Sequence, residues 1–70
     1  MTENNKKDIY KWIDNSLMTI FPDAFDRDLV VNSIFGEVVE DVEQTADKDF
    51  NSSDINMAIA RVLKARIVGF

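Results

Sequence analysis

The chain has 70 residues, 46% of them hydrophobic and 30% charged, with a formal net charge of −5 and neither cysteine nor histidine. That composition fits one small globular domain and not a disordered segment. It excludes disulfides and ordinary zinc sites, so extra stability must come from well-packed helices or a partner subunit.

No apolar run approaches the roughly 18 residues of a membrane span, and Met1–Asp8 is too polar for a signal peptide, so the expected setting is cytoplasmic. Charge is uneven along the chain. In residues 1–22, Glu3, Asp8 and Asp14 balance Lys6, Lys7 and Lys11. Residues 23–54 carry ten acids against Arg27 and Lys48, whereas Arg61, Lys64 and Arg66 follow with no acid beside them. A negative chain repels a phosphate backbone at long range, so this pattern favours internal or intersubunit pairing over nucleic acid.

Residues 1–5 read as a flexible N-terminus and residues 6–70 as one domain. The expected fold is all-α, a compact three-helix bundle with helices at about 6–20, 27–46 and 52–68. In the first helix Ile9, Ile13, Leu17 and Ile20 form one stripe, Asn5 is the expected N-cap with Asp8 three residues on, and Pro22 ends the segment. Tyr10, Trp12, Met18 and Phe21 widen its apolar arc to about 240° at helical spacing. A monomeric three-helix bundle ordinarily buries less, so Tyr10, Trp12 and Met18 are candidate interface residues.

The second helix places Val30, Val31, Ile34, Phe35, Val38, Val39 and Val42 over half its circumference, in pairs at helical spacing. Phe25, Asp26 and Val30 read as a hydrophobic staple around an N-cap. Gly36 inside this helix costs about 1 kcal/mol relative to alanine, and a close helix crossing or a kink is the expected reason. Glu37, Glu40, Asp41, Gln44 and Asp47, with Glu43 nearby, form an acidic face. It is either a solvated surface or a negative one that docks on a basic partner or imitates a nucleic-acid backbone.

The stretch "DKDFNSSDI", residues 47–55, resembles a calcium loop in having Asp47, Asp49 and Asn51 at alternate positions. Counted from Asp47, however, the turn glycine is replaced by Ser52 and the closing bidentate glutamate by Ala58, so no metal is expected. Phe50, Asn51, Asp54 and Ile55 instead fit a staple and capping box that start the third helix. That helix turns Ile55, Ala58, Ile59, Val62 and Leu63 inward, with Gly69 as terminator and Phe70 as the apolar residue after it.

Arg61 and Lys64 share a side of the third helix. Without a tight helix-turn-helix turn or a contact set of aromatics and amides, they make direct DNA binding a weak third reading. Arg66 falls inside the apolar stripe and Asp41 at the edge of the second helix's arc. The two are expected to pair with each other or to snorkel, and Arg66 is alternatively an interface charge. With no histidine, cysteine or glycine-rich phosphate loop, and no base beside Ser16, Ser33, Ser52 or Ser53, neither catalysis nor a cofactor is expected.

The function these residues suggest is a non-catalytic protein–protein interaction or regulatory module. It is expected to self-associate through the first helix, using Tyr10, Trp12, Met18 and Arg66. The alternative is an acidic inhibitor that acts as a nucleic-acid mimic through Glu37, Glu40, Asp41 and Asp47. The partner implied is another protein, or a second copy in a homo-oligomer, and not a membrane.

Overall fold

The computed structural model describes residues 2–45 and 50–68, without the side chain of Val68. Three helices, α1 (Glu3–Leu17), α2 (Ala24–Thr45) and α3 (Ser52–Val68), pack mutually into a three-helix bundle. The described residues contain no strand. Ala46, Asp47, Asp49, Gly69 and Phe70 lie outside them, and with them the expected end of the second helix, two of the three calcium-like positions and the third helix's terminator.

Every buried side chain among the described residues is apolar. Ile9, Ile13 and Leu17 come from α1, Val31, Ile34, Val38, Val39 and Val42 from α2, and Ile55, Ala58, Ile59 and Val62 from α3. The period of these residues is what makes the segments helices with an inward face. A 15-residue helix is marginal alone in water. Ile9 and Ile13, both with no exposed surface, each supply about 1.5–3 kcal/mol on burial and anchor α1.

The helix ends differ from the sequence expectation in ways that matter for the surface. The first cap is Thr2, not Asn5, because the Thr2 hydroxyl accepts from the Asn5 backbone N–H at 3.1 Å. A threonine oxygen three residues ahead satisfies an otherwise orphaned donor and draws the helix start forward to Glu3. At the other end α1 stops at Leu17, whose carbonyl accepts from both Ile20 N–H (3.1 Å) and Phe21 N–H (2.8 Å). The tightened turn swings Ile20 off the buried stripe and into solvent.

The second start also shifts. Asp23 caps α2, accepting from Asp26 N–H at 3.1 Å, and the Asp23 carbonyl receives the first helical bond, from Arg27. Asp26 is therefore inside the first turn, and Phe25 points outward where a staple had been expected. The third start is as read. Asn51 Oδ1 accepts from Asp54 N–H at 3.1 Å, and Asp54 Oδ2 accepts from Asn51 N–H at 3.0 Å, a reciprocal capping box. Phe50 and Ile55 pack into the core on either side of it.

Candidate interaction surface

Most of the polar side chains that could have formed a site are used to hold the helices together. Arg27, only 12% exposed, donates from Nε to Asp14 Oδ1 at 2.7 Å and from one Nη to the carbonyls of Phe21 (3.0 Å) and Pro22 (3.3 Å). One guanidinium thus fastens the start of α2 to α1 and to the connection between them. Its fixed fork of donors suits that task in a way a lysine ammonium does not.

The expected contact residues are divided between interior and surface. Tyr10 is half-buried against the core, its ring edge-on to Phe35 at 5.5 Å and 66°, an arrangement that stabilises beyond area burial alone. Trp12 is 38% exposed, but its indole Nε1 donates to Asn56 Oδ1 at 3.0 Å, and the Ser16 hydroxyl donates to the same oxygen at 3.3 Å. Asn56 on α3 is thereby the meeting point of two α1 side chains. Met18, at the end of α1, is exposed.

Arg66 and Asp41 do not pair with each other. Arg66 Nη2 donates to the Ser33 carbonyl at 2.8 Å and to Glu37 Oε1 at 2.7 Å, lying across to α2. Asp41 is instead taken by Arg61, whose Nε reaches both carboxylate oxygens (3.1 and 3.0 Å) and whose Nη2 also donates to Oδ1. Spacing explains the exchange: Arg61 stands level with Asp41 on the neighbouring helix, whereas Arg66 is more than a turn further along. The Thr45 hydroxyl joins this group, donating to the Asp41 carbonyl at 2.7 Å. Hydrogen bonds from Arg61 hold the Asp41 carboxyl below its ordinary pKa against a smaller opposing effect of burial, and the Arg61 guanidinium is raised in turn.

The acidic face is therefore partly neutralised. Glu37 and Asp41 each hold an arginine of α3, and an open depression between them is lined by Glu40, Gln44, Val62 and Ala65. Glu40 has no ion pair among the described residues. Asp47 lies outside the described residues. In the same residues no group of three or more acids, histidines or cysteines converges in a metal-like cluster.

The surface that stands out was not among the sequence candidates apart from Met18. Four large apolar side chains between residues 18 and 29 face solvent: Met18 at 46%, Ile20 at 66%, Phe25 at 71% and Leu29 at 60% exposed. Scattered apolar surface residues are ordinary, as Met57 and Ile67 are here, but four close together in sequence, along one connection and the helix start it leads into, are a different matter. Exposed carboxylates stand around it at Asp23, Asp26 and Asp28, and the cation in their midst, Arg27, is turned inward.

Two signals in the sequence could have exposed this surface. Asp23, a capping residue type with an acid three residues later, is itself a helix-start signature. At about 100° per residue, Leu29 also falls some 160° from Val31.

Gly36 belongs to the same outer face of α2. It is exposed, its φ is negative, and a Cβ built there would meet nothing within 4 Å. The expected helix crossing is thus absent at Gly36: among the described residues, no element comes close enough to require a missing side chain. Close packing among the described residues therefore does not account for the helix-propensity cost of about 1 kcal/mol.

No protein-family model, curated protein or solved structure matches this chain. No helix of the described residues is long and apolar enough to cross a membrane.

Proposed function

We propose that this chain is a non-catalytic protein–protein interaction or regulatory module that acts in the cytoplasm. The observation that carries the reading is that Met18, Ile20, Phe25 and Leu29, close in sequence, are each exposed on a domain whose remaining large apolar residues mostly fill one core. Leaving such side chains in water forgoes the burial energy that a small domain most needs. A surface that covers them in a complex recovers it.

Self-association through α1 has less support than contact through this corner. Tyr10 is committed to Phe35 and Trp12 to Asn56, and much of the outward side of α1 is polar, with Glu3, Lys7, Asp8, Lys11 and Asn15 exposed. The nucleic-acid mimic has less support as well, because two of its four carboxylates already hold arginines. Direct DNA binding through Arg61 and Lys64 is weaker again, since Arg61 is one of the arginines they hold.

Affinity capture from native lysate with wild-type protein and with the Phe25→Asp/Leu29→Asp double variant tests the proposal. Both positions are exposed, so the variant keeps its helix content. The expected result is a partner retained by the wild type and lost by the variant. An identical set of retained proteins for both would remove the proposal.

A further inference from the structure

The outer face of α2 carries a sequence of features that specify more than stickiness. Phe25, Leu29, Gly36 and Glu40 fall within about 60° of one another on the helix, over about 22 Å of its length, and all four are exposed. Asp26 lies to one side of the apolar pair and Asp28 to the other, and neither has an ion pair among the described residues. Arg66, which reaches α2 at the Ser33 carbonyl, is neutralised by Glu37. The face is therefore apolar at its start, open at its middle and negative along its sides and far end.

We infer that the outer face of α2 receives a basic amphipathic helix of a partner chain, lying along Phe25 and Leu29 and making its closest approach at Gly36. The inference rests on the interaction-module reading and adds the chemistry of the partner. An apolar stripe on that helix covers Phe25 and Leu29, one turn apart on the face. Lysines or arginines flanking the stripe meet Asp26, Asp28 and Glu40, which steers the encounter and fixes the register. The absence of a side chain at Gly36 lets the two backbones come together, a use for glycine that offsets its poor helix propensity.

A second copy of this chain does not fit the same face. Two α2 helices crossing antiparallel at Gly36 would set Leu29 of each against the acidic second half of the other. Crossing parallel, they would align Asp26, Asp28 and Glu40 with themselves. The first arrangement desolvates carboxylates against apolar groups and the second opposes like charges.

The test uses two synthetic amphipathic peptides of about 18 residues, one of leucine and lysine and one of leucine and glutamate, titrated into nitrogen-15-labelled protein. The leucine–lysine peptide is expected to shift the amide signals of Phe25, Leu29, Asn32 and Gly36, and the leucine–glutamate peptide to leave them in place. Gly36→Gln is expected to weaken the leucine–lysine peptide at least tenfold while melting no lower than the wild type, which separates binding from folding.

Shifts centred on another face, equal binding of the acidic peptide, an unchanged affinity for Gly36→Gln, or no binding of either peptide would each overturn the inference. So would sedimentation showing a dimer that Leu29→Asp dissolves. If the double variant still loses its captured partner in any of those cases, the partner chemistry is wrong and the module reading stands. If capture is unaffected by that variant, the module reading itself falls.

Discussion

Replacing Gly36 with alanine tests how the outer face of α2 relates to folding. Gly36 lies more than two turns from both ends of α2, where the full helix-propensity difference of about 0.8–1.0 kcal/mol applies. The backbone there has the negative φ an L-residue wants, and the new methyl group meets nothing within 4 Å. Neither clash nor burial therefore adds to the propensity difference, and Gly36→Ala should stabilise the free protein by about 1 kcal/mol. A 70-residue domain has about 4–10 kcal/mol of stability in all. The gain is thus a sizeable fraction and corresponds to a rise in Tm of about 4–8 °C. Thermal unfolding followed by circular dichroism at 222 nm reads it directly. An unchanged or lower Tm would refute the reasoning, because it would mean that the fold itself uses the glycine.

Arg27→Ala should destabilise the domain by about 2–3 kcal/mol, since hydrogen bonds to a charged group contribute more than neutral ones and Asp14 and two carbonyls lose their donor. Arg27→Lys should recover only part of this, because an ammonium donates from one point, whereas Arg27 reaches Asp14 from Nε and the two carbonyls from an Nη. Urea unfolding measures both, and a loss below about 0.5 kcal/mol for the alanine variant would show the contact to be incidental. The Asp41–Arg61 contact sets a pH dependence of known sign. Because the folded pKa of Asp41 is lowered, its contribution is fully present above the ordinary carboxylate pKa of about 3.9 and is lost as pH falls through the lower folded value. Asp41→Asn should therefore flatten the acid limb of stability against pH and leave the dependence near neutrality unchanged; identical acid limbs would count against the pairing.

Most of the core was readable in the sequence because hydrophobic period places it, Ile20 past the end of α1 being the exception. Ile9, Ile13, Ile34, Val38, Ile59 and Val62 are buried where a 3.6-residue repeat places them. The third helix start was readable too, since Asn51 and Asp54 satisfy each other locally and no distant residue competes. What depended on which of several local caps prevails was harder to read. Thr2 and Asp23 take the first two helix starts from Asn5 and Asp26, and the shift at α2 turns Phe25 from an internal staple into an exposed residue. Ion-pair partners depend on interhelical register, which a single sequence does not reveal: periodicity points Asp41 toward Arg66, whereas Arg61 stands opposite it. The same limit applied to the candidate contacts. Tyr10 and Trp12 carry the composition of an interface, but Phe35 and Asn56 lie within their reach in the folded chain.

The most direct test of the central claim, that the outer face of α2 is shaped for a partner and not for the fold, is a paired measurement on Gly36→Gln. Its Tm and its affinity for the leucine–lysine peptide are each compared with those of the wild type. The account predicts that they move in opposite directions, with Tm equal or higher and affinity at least tenfold weaker. A variant that binds as well as the wild type, or one that loses stability and affinity together, would contradict it.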